Sequence, residues 1–177
     1  MIQERICTVT TIKATLEDTI AFVNYHLNIG IDHMFLFFDD PDDMAINTLS
    51  KYERVTSIKC NSQYWAKLDK TTDISRWLER QDINATLGLK LARESGYSWI
   101  IHIDSDELIY SNQPLKKLLA NVSQDIDFVI FKPLEAVPDV KEYTHIFDKI
   151  TLFKEIPRLR YKYLAYLLGC KKAFFHG

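Results

Sequence analysis

Glycine is scarce in this chain, five of 177 residues, and none falls between Val9 and Ala14. A Gly-rich loop cradling a phosphate after the first strand is thereby excluded. Cysteine is scarcer still. Cys7, Cys60 and Cys170 are scattered, odd in number and without metal-ligand spacing. That excludes a cysteine-based zinc cage and a disulfide framework. It casts Cys7 and Cys60 as small core residues in a reducing compartment. No apolar run approaches the roughly 20 residues needed to span a bilayer, and the N-terminus lacks a signal-peptide core. The reading is a cytoplasmic protein. A net charge of −2 supplies no global drive toward nucleic acid. There is also no repeat, low-complexity tract or Gly/Ser linker.

What is present is strand–helix alternation. Ile6 to Ile12 reads as a strand. Thr15 and Asp18 resemble a capping box before Leu16, Ile20, Val23 and Leu27 at helical spacing, and Gly30 closes that helix. His33 to Phe38 is a second strand, ended by Asp39-Asp40-Pro41-Asp42-Asp43. A short helix over Met44 to Tyr52 leads to a strand from Val55 to Cys60. A polar loop follows, then a long helix from about Ile74 to Glu94, stopped near Gly96, with Ile83, Leu87 and Leu91 on its buried side. Such alternation implies right-handed βαβ crossovers, an α/β fold and a mainly parallel sheet. From Phe128 the rhythm changes. Phe128 to Lys132 and Ile146 to Phe153 read as strands of a small antiparallel or mixed addition.

The fourth strand of the alternation, Trp99 to Ile103, ends at Asp104-Ser105-Asp106-Glu107. Three carboxylates in four residues repel one another unless a cation sits among them. Hard oxygen ligands suit Mg²⁺ or Mn²⁺, whose remaining shell comes from water and phosphate. Asp-x-Asp also occurs at Asp40/Asp42 and Asp125/Asp127. Ligands of open α/β sheets collect outside the carboxyl ends of strands. Asp104 and Asp106 lie at such an end, whereas Asp125 and Asp127 precede an apolar run. The alternative for this segment is a solvated turn before the helix that Pro114 starts.

Other strand ends carry fitting chemistry. Thr11 and Lys13 stand at the end of the first strand, where a hydroxyl and an ammonium serve a base or phosphate, or form an ordinary polar turn. Asp39, closing the second, offers an acceptor for a base N–H or a ribose hydroxyl, or is an Asp/Pro turn. As a partly exposed carboxylate, Asp39 is expected to contribute little to stability. Gln81 and Asn84 share a helix face, where they touch a nucleotide or orient the carboxylates, or are two partly exposed amides.

The order of these features resembles the GT-A glycosyltransferases, on the family 2 and family 92-like branch. The residues that carry it are Lys13 and Glu17; Asn24-Tyr25-His26-Leu27 and Gly30-Ile31-Asp32 running into Phe37-Phe38-Asp39-Asp40; Gln81 and Asn84; and Trp99 with Asp104-Ser105-Asp106-Glu107. The resemblance covers roughly residues 5 to 135. It implies a Rossmann-like GT-A domain that moves a sugar from a nucleotide-diphosphate donor to a glycan or lipid-linked acceptor. It also implies base recognition by Asp39 and a Mn²⁺ or Mg²⁺ ion on Asp104 and Asp106, with Asp104 near the ribose too. Members often supply a late His to the metal, which is here His176, or else a terminal residue with no such role. Pro41-Asp42-Asp43 departs from the family's turn, and its acceptor-side region is short.

On this reading residues 1–177 form one catalytic domain, with a nucleotide-binding half to about 110 and an acceptor-side half beyond. The abrupt end suggests a piece of a longer protein. Glu135 is the candidate base of an inverting transfer, and Glu107 the next. Arg158, Arg160, Lys162, Lys171 and Lys172, interleaved with tyrosines, form a basic cluster for diphosphate or peripheral membrane contact, or a solvated amphipathic segment. Two rival readings are a nucleotidyltransferase, disfavoured by the missing Gly-rich loop, and a non-catalytic binding domain.

Overall fold

A computed structural model describes residues 4–68, 77–137, 143–148 and 152–155. The described residues divide into two compact units. The first runs through Ser123 and takes in His145–Phe147; the second holds the rest from Gln124.

In the first unit, β1 (Ile6–Ile12) is buried along its whole length. Helix α1 (Leu16–Asn28) starts at the expected cap, with Thr15 Oγ1 accepting from the Asp18 N–H and donating to the Asp18 carboxylate. It ends where Gly30 takes a φ of 105°, a conformation that an L side chain resists. Next come β2 (His33–Phe38), α2 (Met44–Leu49) and β3 (Val55–Lys59). The segment read as a polar loop contains a helix, α3 (Ser62–Lys67). Asn61 caps it by accepting from the Tyr64 N–H, an Asn/Ser start that a six-residue helix gives no periodicity to reveal. Helix α4 (Trp77–Glu94), β4 (Trp99–His102) and α5 (Leu115–Ala120) complete the unit.

The strands pair in parallel in the order β3-β2-β1-β4. The chain thus steps outward from β1 to β3 and then returns to the far side of β1. That reversal between β1 and β4 is the topological switch point at which open sheets bind ligands. It also puts the outward and return helices on opposite faces. On one face Cys7, Val9, Phe35 and Phe37 form a core with Cys60, Trp65 and Ala92. Cys7 and Cys60 are free, buried thiols, as expected, and burial pushes both up to about 12.

Helix α4 buries a different stripe from the one its apolar residues indicate. Arg80, Asn84, Gly88 and Ala92, each four apart, are buried, while Ile83, Leu87 and Leu91 flank them half-buried. Gly88 explains the choice. A Cβ there would lie 2.3 Å from Val9 Cγ1 and 2.7 Å from Cγ2, so the missing side chain lets the helix seat on β1. A small-residue stripe wins because it brings the two backbones closest.

The second unit contains an antiparallel pair, β5 (Leu134–Val137) and β6 (Leu152–Glu155). This corrects the expected strand positions. Phe128 to Lys132 is irregular, and among the described residues of the expected strand from Ile146, residues 146–148 form a turn while Leu152 and Phe153 are in strand. Hydrophobicity alone marked the segments, and two short strands pair through register rather than through apolar runs. The class is as expected: α/β, with a four-stranded parallel sheet and a small antiparallel sheet, consistent with a Rossmann-like GT-A fold.

Candidate functional site

A cleft of about 400 Å³ opens at the carboxyl ends of β1 and β4, at the switch point. It is lined by Thr11 at the end of β1, Lys13 just beyond it, Asp18 on α1, Trp77 and Gln81 on α4, and Asp104 and Asp106 after β4.

The structure brings together most of the residues singled out by sequence. Gln81 Nε2 donates to Asp104 Oδ1 at 3.1 Å. Asn84 is wholly buried beneath the cleft. Its Nδ2 donates to Thr11 Oγ1 at 3.0 Å, and its Oδ1 accepts from Tyr64 Oη at 2.6 Å. The network fixes α4 against β1 and α3, and it occupies the Thr11 hydroxyl. Lys13 is exposed, with its ammonium 5.9 Å from the Trp77 ring centroid. Trp77 was not singled out by sequence. A lone aromatic in the first turn of a helix carries no local pattern.

Asp39 does not line this cleft. Arg80 Nε donates to its Oδ1 at 2.7 Å and Nη2 to its Oδ2 at 2.8 Å, with both side chains about 10% exposed. Asp39 is thus held in a bidentate ion pair rather than left as a free carboxylate of an Asp/Pro turn. Its partner lies 41 positions away, outside any local pattern.

Glu107 turns back on the acidic segment. Its N–H donates to Asp104 O, and its carboxylate accepts from the Asp104 N–H at a long 3.5 Å. Desolvation pushes the Glu107 carboxyl above its ordinary range, Asp104 and Asp106 add to that, and the Asp104 N–H pulls the other way. Glu135 is exposed on β5 of the second unit, 2.8 Å from Lys154 Nζ. His176, the cluster from Arg158 to Lys172, and Cys170 lie outside the described residues.

Asp104 and Asp106 are exposed oxygen donors on a common cleft. Among the described residues, no three His, Cys, Asp or Glu side chains gather as a metal cage. Such a pair fits Mg²⁺ or Mn²⁺, which take most of their shell from phosphate and water, and not a structural zinc. No helix among the described residues is long and apolar enough to cross a membrane.

Comparison with known proteins follows the same direction. Residues 6–163 match the model of glycosyltransferase family 92. Two curated proteins of Arabidopsis thaliana are similar. Glycosyltransferase-like At3g57200 is 27% identical over 175 residues, covering 87% of this chain and 34% of its own length. Glycosyltransferase-like At2g41451 is 25% identical over 182 residues, covering 87% of this chain and 39% of its own length. The chain thus spans little more than a third of the relatives it matches. No solved structure gives a significant match.

Proposed function

The chain belongs to glycosyltransferase family 92, and from that premise we propose that its first unit binds a nucleotide-diphosphate sugar and transfers the sugar, with inversion, to an acceptor hydroxyl of a glycan or lipid-linked sugar. The observation that carries this is the assembly of Lys13, Gln81, Asp104 and Asp106 on one cleft at the sheet's switch point.

The parts divide by chemistry. Lys13 supplies a fixed positive charge for the diphosphate. Asp104 and Asp106 would hold Mn²⁺ or Mg²⁺, which when bound neutralises charge on the leaving diphosphate. Gln81 keeps Asp104 turned to the cleft. The Trp77 ring, beside Lys13, offers a face on which a base stacks. Asp39, bound by Arg80 outside the cleft, ties the end of β2 to α4. An inverting transfer also needs a proton acceptor near the acceptor hydroxyl. Glu107, in the same unit as the cleft, is the proposed carboxylate for it, and its raised pKa suits that task. The free thiols of Cys7 and Cys60 suit a reducing compartment and support a cytoplasmic site of action.

A thermal-shift screen of nucleotide sugars, with and without Mn²⁺, tests the proposal. A cognate donor at about 100 times its Kd adds roughly 2.7 kcal/mol. For a chain of this size that raises the Tm by about 5–10 °C, and the rise should require the metal. Asp106→Ala removes one charged oxygen ligand and should abolish the metal-dependent part of that shift. The same shift in Asp106→Ala, or no shift with any nucleotide, would reject the assignment.

A further inference from the structure

The segment that carries Asp104 and Asp106 leaves a strand that has a partner on one side only among the described residues. Its exposed carboxylates repel one another. The bonds within the segment, between Asp104 and Glu107, shape the turn but do not tie it to the rest of the fold, so its position depends on anchors at its two ends. Upstream the anchor is the sheet. Ile103 is 7% exposed, and its N–H donates to Val9 O at 3.3 Å.

Downstream the anchor is α1. Ile109 is 6% exposed, and both of its backbone groups are taken by adjacent residues of that helix. Tyr25 Oη donates to Ile109 O at 2.9 Å, and the Ile109 N–H donates to His26 Nε2 at 3.4 Å. His26 is 0% exposed, and its Nδ1 lies 2.9 Å from Phe22 O. A neutral imidazole protonated at Nδ1 satisfies both contacts, donating to the carbonyl and accepting from Ile109. Two neighbours on a helix point about 100° apart. Their convergence on one residue 83 and 84 positions later therefore fixes the chain in two directions.

We propose that Tyr25 and His26 are positioning residues for the acidic turn: by gripping the backbone of Ile109 they hold Asp104 and Asp106 at the cleft. The functional consequence rests on the donor-binding reading above, while the grip itself does not. Tyr25→Phe is the clean variant, because it removes one hydroxyl and keeps the ring. Val23→Ala is the control, a buried truncation on the same helix that lowers stability at least as much without touching Ile109's polar groups.

Two measurements on the full chain decide it. Hydrogen–deuterium exchange over residues 103–110 should accelerate about fivefold in Tyr25→Phe, the factor set by one net hydrogen bond. In Val23→Ala it should stay at the parent rate. Calorimetry with UDP and Mn²⁺ should show a similar loss of affinity in Tyr25→Phe alone. Parent-like exchange in Tyr25→Phe, or equal acceleration in Val23→Ala, overturns the proposal. A parent chain that binds no nucleotide with Mn²⁺ rejects the donor reading instead, and the exchange rates still judge the grip.

Discussion

Both oxygens of Asp39 accept from one guanidinium, and that ties the end of β2 to the first turns of α4. A bidentate pair is strong only while both members are present. Arg80→Leu keeps most of the apolar stem's packing but strands the carboxylate in a site about 10% exposed. Breaking such a pair from one side costs about 3 kcal/mol or more. Denaturant unfolding should show that loss, and a change below about 1 kcal/mol would mean that Asp39 finds water or another donor. Asp39→Asn should cost less, because the amide still offers one acceptor. These residues show where sequence reading stops. Thr11, Lys13, Gln81, Asp104 and Asp106 were readable because each stands at a strand end or marks a helix face. Arg80 was not, because its role depends on a partner 41 positions away.

Helix α4 carries the same lesson among elements. Its stop before Gly96 follows from pattern and from that residue's φ of 72°, while the expected start near Ile74 lies outside the described residues. Its seating does not, because Ile83, Leu87 and Leu91 mark one side and Gly88 selects the neighbouring one. In a free helix Gly88→Ala would help by about 1 kcal/mol. Here the new methyl meets both methyls of a buried, β-branched Val9, which has no flexible end to swing aside. Overpacking of this kind costs about 1–3 kcal/mol, so the sign should reverse and the Tm fall. The Gly88→Ala/Val9→Ala double variant should recover part of the loss, relative to Val9→Ala alone, if the clash is the cause. The antiparallel pair β5–β6 was foreseen in kind but misplaced. Residues 128–131 are apolar yet lack a paired register, and pairing is what defines a strand.

For the whole molecule, the parallel sheet and its strand ends were readable because β1, β2 and β3 are each followed by a helical segment before the next strand. The pH response was not, because it depends on how deeply His26 is buried. Burial lowers its pKa to about 4, against a smaller opposing pull from the Phe22 carbonyl. The unfolded value is about 6.5. Between the two, the unfolded chain binds a proton that the folded chain refuses, so stability rises with pH across that window. The His26 contribution is complete above pH 6.5, drains as the pH falls toward 4 and levels off below. Over the whole window it amounts to roughly 3 kcal/mol. His33, lowered by burial and by Arg5, acts in the same direction. Glu107, whose carboxyl is raised, opposes it with stability that fades as the pH climbs through its folded pKa. Urea unfolding at successive pH values should therefore give a curve that falls between pH 6.5 and 4. In His26→Gln the curve should be lower near neutrality and flatter across that window. An equally steep fall in the variant would assign the acid response to other groups and leave His26 as a packed, silent imidazole.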